Sequence, residues 1–130
     1  MSIHPIIELS DASWKEHIEK KDTLSVIMFY SPTCPYCRVM EPPFEEYAKE
    51  FKDTVVFGKL NVASNPETVS KYGILGTPTF KLFCQGKPIN ELTGAVYPTL
   101  LKKAVEDALT YGSECAQHTT WFDVGITGYA

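Results

Sequence analysis

Hydrophobic positions along this chain alternate between short continuous runs and stretches with helical spacing. Ile6 to Leu9 is a compact apolar segment and predicts a short strand. Ser10 or Asp11 then caps a helix in which Trp14 and Ile18, four apart, share a face, with His17 beside that face as a surface or boundary residue. Leu24 to Tyr30 is apolar with little alternation, the pattern of a central strand covered on both sides by helices. Ser31-Pro32-Thr33 breaks it, and Cys37, Met40, Phe44, Tyr47 and Phe51 then recur at three or four, which predicts a helix over 34–51. Pro42 and Pro43 sit inside that pattern and are expected to remove amide donors and bend the helix.

Val55 to Asn61 has the β-branched and aromatic content of another strand. Asn65-Pro66 reads as a cap followed by proline at the first helical position, opening a short helix that ends near Tyr72-Gly73. Thr79 to Cys84 and Ile89 to Thr93 flank the turn residues Gln85-Gly86-Lys87 and predict a hairpin. Pro98 to Leu109 closes with a helix whose apolar face includes Leu101, Val105 and Ala108 or Leu109. The order β-α-β-α-β-α-β-β-α points to an α/β domain. Gly112 ends the periodic part, so the domain is assigned to residues 1–112 and residues 113–130 to a C-terminal tail, although Trp121, Phe122 and Tyr129 have the apolar surface to pack back on it.

A chain of 130 residues, 44% hydrophobic, can bury a core without staples, and one domain is expected. The formal net charge of −4 and the absence of a Lys/Arg block argue against nucleic acid as a partner. Met1 to Ser10 lacks the pattern of a secretory signal, and the longest apolar run, Val26 to Tyr30, is too short to span a bilayer. A cytoplasmic protein without a membrane partner is expected.

The four cysteines are too few and too unevenly placed for a secreted disulfide framework. Cys34 and Cys37 form a tight pair at a strand-to-helix junction, where one helical turn brings their sulfurs within reach of a reversible disulfide. At the start of the helix the Cys34 sulfur meets free amide donors and the positive end of the dipole, which favour thiolate and make Cys34 the expected nucleophile. Arg38, just inside the helix, adds to that field. Cys37, one turn deeper, is expected to stay protonated until it resolves the mixed disulfide. A zinc site remains the alternative use of such a pair, but Cys84, Cys115 and the three histidines offer no second tight ligand pair. A purely structural disulfide is the other alternative, and it fits a cytosolic chain poorly. Cys84 reads as a small buried hydrophobe at a strand end, and Cys115 as a passive exposed tail residue, with a thiol available for regulatory disulfides as the alternative.

Residues Val26 to Arg38, read as strand, loop and helix around Cys34-Pro35-Tyr36-Cys37, resemble the active-site region of the thioredoxin family. Lys59-Leu60-Asn61-Val62, Asn65-Pro66, Lys71-Tyr72-Gly73-Ile74, Gly76-Thr77-Pro78-Thr79, Gly86 and Gly94 follow in the order and at about the separations of that family, so the resemblance covers roughly residues 5 to 110. It implies a thioredoxin fold with a central mixed β-sheet flanked by helices. It also implies that Pro78 is a cis-proline facing the cysteine pair, that Thr77 pairs its backbone with an extended substrate, and that Lys59 lies under the site. The chain departs from the family at three places. Met28 stands where thioredoxins usually keep a buried Asp that moves the second cysteine's proton, which puts that relay in doubt; Glu41, at i+4 from Cys37, has the spacing of a substitute but reads first as a solvated helix glutamate. Thr33 replaces the usual Trp before the first cysteine and alters the substrate groove. The inner Pro35-Tyr36 is of the glutaredoxin type and bears on redox poise.

The function expected is thiol-disulfide exchange, as a protein-disulfide reductase with no bound cofactor. Its Cys34–Cys37 disulfide would be reduced by a separate reductase, its substrates would be disulfide-containing proteins, and the chain would act as a monomer. The alternatives are glutaredoxin-like or isomerase activity and, in a different class, a binding or adaptor module that keeps the fold without depending on turnover.

Overall fold

In the computed structural model, which describes residues 6–19 and 23–110, the chain runs β1 (Ile6–Leu9), α1 (Asp11–Trp14), a π-helical turn (Lys15–Glu19), β2 (Leu24–Tyr30), α2 (Pro35–Glu50), β3 (Val55–Asn61), α3 (Pro66–Tyr72), β4 (Thr79–Cys84), β5 (Lys87–Thr93) and α4 (Pro98–Thr110). The strands form one mixed sheet in the order β1-β3-β2-β4-β5. β1 and β2 each pair with β3 in parallel, while β4 is antiparallel to β2 and to β5. The expected tail, with Cys115, lies outside the described residues.

Strand β2 is central and buried along nearly its whole length, as its continuous apolar run requires. Because strand side chains alternate between faces, Val26 and Met28 join Phe57, Phe80 and Leu82 on one face, under Met40 and Phe44 of α2 and Leu101 and Val105 of α4. Ile27 and Phe29 join Leu60 and Phe83 on the other, under Trp14, Ile18 and Ile74. Fully burying side chains of this size contributes about 1.5–3 kcal/mol each. These two layers fix β2, and with it the loop that leads into α2.

Local details differ from the sequence pattern at four places. The first helix relaxes into a π-helical turn after one α-turn, yet Trp14 and Ile18 both face the core. α2 continues unbroken through Pro42 and Pro43; the carbonyls that lose their helical donors belong to Arg38 and Val39, whose exposed positions let solvent serve them. Asn65 precedes Pro66 as expected but makes no side-chain cap bond. Its Oδ1 instead accepts from the Asp11 N–H at 2.8 Å and its Nδ2 donates to the Asn61 carbonyl at 2.9 Å. The β4–β5 turn is also tighter than expected: Gln85 and Gly86 alone cross over, both with positive φ, so β5 begins at Lys87.

Candidate active site

Two chain segments meet beyond the end of β2. From Tyr30 the chain turns through Ser31-Pro32-Thr33, and the Cys34 N–H donates to the Ser31 carbonyl at 3.2 Å before α2 begins at Pro35. Proline suits that first helical position because its missing N–H would have had no partner there. Across the sheet, Phe29 pairs with Thr79 at the start of β4, so one step further Pro78 stands level with Tyr30. The Thr77–Pro78 peptide bond is cis, as the resemblance implied. This loop is fastened on both sides: the Thr79 hydroxyl donates to the Gly76 carbonyl at 2.6 Å, and the Gly94 N–H donates to the Pro78 carbonyl at 2.8 Å.

Cys34 occupies the N-cap position of α2, and its sulfur accepts from the Cys37 N–H at 3.2 Å. Both cysteines are free thiols; Cys34 is 9% exposed and Cys37 2%. Burial pushes the Cys34 thiol up, but it is outweighed by the Cys37 thiol, the Thr77 side chain and the N–H groups of Cys37 and Tyr36. The net result is a pKa below the ordinary cysteine value. At Cys37, burial and the neighbouring Cys34 raise the pKa, and together they outweigh the lowering contributions of the Ser31 backbone and the Thr77 side chain. Free amides of the first helical turn therefore act on one sulfur and leave the other neutral.

The remaining candidates divide into those near the sulfurs and those held elsewhere. Thr33 is exposed and its hydroxyl bonds to that of Ser31 at 3.2 Å. Pro35 is exposed, and Tyr36 presents 61% of its surface to solvent. Arg38 is exposed, with its backbone N–H on the Cys34 carbonyl at 3.4 Å. The Lys59 ammonium is directed to Glu8 at 4.0 Å and over the Tyr30 ring at 5.2 Å, with Tyr30 in turn donating to Glu8 at 2.8 Å. Tyr30 is pushed up to about 12 by burial, with Glu8 and then Glu41 adding to the shift. Met28 is 1% exposed and packs in the apolar layer beneath α2.

Sequence reasoning did not single out Ser31, whose backbone contributes to lowering the Cys37 pKa, or the side chain of Thr77, which contributes to lowering the pKa of both thiols. The one signal for Thr77 was its place before Pro78, and that suggested its backbone. Cys84 is buried at the end of β4 and is not a free thiol. Among the described residues no group of three or more His, Cys, Asp or Glu side chains could hold a metal ion, and no helix is long and apolar enough to cross a membrane.

Residues 5–107 match the family model for thioredoxin. The chain is similar to a thioredoxin of Alicyclobacillus acidocaldarius subsp. acidocaldarius, 38% identical over 101 residues that cover 78% of this chain and 95% of that protein. It is similar to a thioredoxin of Rhodospirillum rubrum, 37% identical over 99 residues, 76% of this chain and 95% of the relative. A Synechocystis sp. thioredoxin is 34% identical over 102 residues, 78% of this chain and 95% of its own length.

Proposed function

We infer the roles of the site residues from one established premise: this chain belongs to the thioredoxin family and is a thiol-disulfide oxidoreductase. Cys34 is the nucleophile and Cys37 the resolving thiol of a protein-disulfide reductase. The observation that carries this assignment is the placing of the two sulfurs: Cys34 at the N-cap of α2 accepts the Cys37 N–H at 3.2 Å, which favours its thiolate, while Cys37 is 2% exposed one turn further in, where burial favours the thiol.

The Cys34 thiolate attacks one sulfur of a substrate disulfide; a Cys34–substrate bond forms as the substrate S–S bond breaks, and the departing thiolate takes up a proton. Cys37 then loses its proton and attacks the Cys34 sulfur, releasing the second substrate thiol and leaving the Cys34–Cys37 disulfide. The substrate gains two electrons and the pair loses two. A separate reductase returns the pair to the dithiol, with no bound cofactor involved. An extended substrate segment lies along Thr33, Thr77 and Pro78. Exposed Tyr36, Leu75 at 99% and Tyr97 at 77% support that reading, because they sit within the motif, two residues before Thr77 and three beyond Gly94. The inner Pro35-Tyr36 sets the poise. Arg38 and Lys59 supply electrostatic support, Lys59 through its contacts with Glu8 and Tyr30. The working unit is a cytoplasmic monomer in which residues 1–112 form the domain and 113–130 the tail.

The test is a redox titration of the pair in defined thiol/disulfide buffers, combined with reduction of insulin by the wild type, Cys34→Ser and Cys37→Ser. A reversible two-electron transition near the thioredoxin value of about −270 mV supports the reductase. In the same reading Cys34→Ser abolishes turnover and Cys37→Ser accumulates a mixed disulfide. A potential tens of millivolts higher turns the assignment to glutaredoxin-like or isomerase work. The absence of any reversible transition overturns it.

A further inference from the structure

We propose that Cys84 and Cys115 form a second disulfide, separate from the Cys34–Cys37 pair, that fastens the C-terminal tail to the end of the sheet opposite the active site and releases it on reduction. The proposal does not depend on the roles given to Cys34 and Cys37.

Its basis is a cysteine whose bonding the catalytic pair does not explain. The chain has four cysteines. Cys34 and Cys37 are free thiols, whereas Cys84 is disulfide-bonded. Within one chain that leaves Cys115 as its partner. Position separates Cys84 from the catalytic pair: Thr79 stands level with Phe29 at the active-site end of the sheet, and Cys84, at the far end of β4, pairs with Leu24. The strand from Thr79 to Cys84 spans about 17 Å, so neither sulfur of the Cys34–Cys37 pair in the same molecule reaches it.

Reach independently favours Cys115. Phe80 and Leu82 belong to the layer under α4 and Phe83 to the opposite one, so alternation returns Cys84 to the α4 side, in register with Leu24 of that layer. α4 starts soon after Gly94, whose N–H bonds to the Pro78 carbonyl near the active site. Its 13 residues rise about 20 Å, and Ala108 and Leu109 in its last turn pack on the same layer as Leu24. From Thr110 to Cys115 the chain extends up to about 17 Å, enough to bring the two Cα atoms to the roughly 4.4–6.8 Å of a disulfide. The anchor is firm: the Gln85 N–H donates to the Thr23 carbonyl at 3.3 Å, and a Cβ added at Gly86 would sit 2.8 Å from the Glu19 carbonyl oxygen.

Forming the bond removes two electrons and two protons from the pair. Cys84 is 4% exposed, so exchange opens at Cys115, whose thiolate attacks a sulfur of oxidised glutathione and releases one glutathione thiol. The Cys84 thiolate then attacks the Cys115 sulfur and displaces the second glutathione. Reduction by glutathione runs the same steps backwards. Closing a loop of about 30 residues restricts the unfolded chain and thereby stabilises the fold.

The full chain is equilibrated in glutathione buffers from reducing to oxidising, quenched with acid, alkylated, and digested with trypsin without reduction. Cleavage after Lys102 and Lys103 separates the two cysteines, so only a disulfide keeps their peptides together. The oxidised protein should give one covalent pair of peptides bearing Cys84 and Cys115, lost in reducing buffer, while Cys34 and Cys37 join in a separate two-electron step. Cys115→Ser should melt about 10 °C below wild type in oxidising buffer and together with it in reducing buffer. Cys84 alkylated in every buffer, joined to Cys34 or Cys37, or joined to a second chain in a covalent dimer would overturn the proposal. So would a Cys115→Ser midpoint equal to wild type under oxidation. A Cys84–Cys115 peptide pair without any Cys34–Cys37 step would support this bond while overturning the two-thiol assignment at the active site.

Discussion

Replacing Asp11 by alanine should unfasten α3, the helix that leads into the Gly73–Pro78 segment facing the cysteines. Asp11 opens α1, yet its carboxylate accepts from the N–H of Glu67 at 3.2 Å, the N–H of Thr68 at 2.9 Å and the Thr68 hydroxyl at 2.7 Å. It therefore caps a helix that begins more than fifty residues later in the chain, in place of the silent Asn65 side chain. Losing a helix cap costs about 0.5–2 kcal/mol. Thr68 is 4% exposed, so its donors are poorly placed to find water, and an unsatisfied buried donor costs about 1–3 kcal/mol. These two costs concern the same groups and are not summed; the expectation is about 2 kcal/mol, or a Tm lower by about 8 °C for a chain of this length.

Urea unfolding followed by circular dichroism measures it, with an unchanged slope against denaturant as the sign that only stability moved. In a Thr68→Val background, where the hydroxyl no longer needs a partner, Asp11→Ala should cost less. The pH dependence has a definite sign. Burial raises the Asp11 carboxyl, but the bonds from Thr68 and Glu67 outweigh it and hold the group below its ordinary 3.8. A depressed carboxylate stabilises the fold fully above the unfolded value and less as pH falls through the folded one, so wild type and Asp11→Ala should converge below pH 3.8. A difference under about 0.3 kcal/mol at neutral pH, within the usual error of such comparisons, would refute the long-range cap. So would a difference that widens on acidification.

Gly58→Ala would place a Cβ 2.8 Å from Leu9 Cδ1, 3.1 Å from Ile27 Cδ1 and 3.2 Å from the Ile7 carbonyl. The backbone oxygen cannot swing aside, so a loss of about 1–3 kcal/mol is expected, and a thermal midpoint equal to wild type would contradict the packing described for β3. Tyr72→Phe removes the acceptor of the Trp14 indole N–H, which donates to it at 3.1 Å in an aromatic group with Phe29 and Phe83. With Trp14 only 3% exposed, the orphaned donor should cost about 1–3 kcal/mol in urea unfolding, and a neutral result would mean the indole has another partner.

Much of this arrangement was legible in the sequence because it depends on contacts that local patterns report. The unbroken apolar run of β2 marks a strand buried on both faces, and the spacing of Met40, Phe44 and Tyr47 marks the face of α2 that covers it. The cysteine pair was legible for the same reason: a spacing of three after a strand places one sulfur at the free amides of a helix start. Asp11 was not, because its partners lie 56 and 57 residues away and any exposed aspartate in a first turn looks alike. The place of Thr77 and Pro78 level with the end of β2 was not legible, because it depends on β4 pairing with β2. The orientation of Lys59 toward Glu8 depends likewise on the parallel register of β1 with β3.

The division of labour between the two thiols is tested most directly by the pH dependence of their separate alkylation. Reduced protein is pulse-labelled with iodoacetamide across pH 5–10, and the peptides bearing Cys34 and Cys37 are quantified by mass spectrometry. Cys34 should label with a midpoint below the ordinary 9.0 and Cys37 with one above it, so that near neutral pH almost all label falls on Cys34. Equal midpoints, or the lower one at Cys37, would contradict the assignment of nucleophile and resolving thiol.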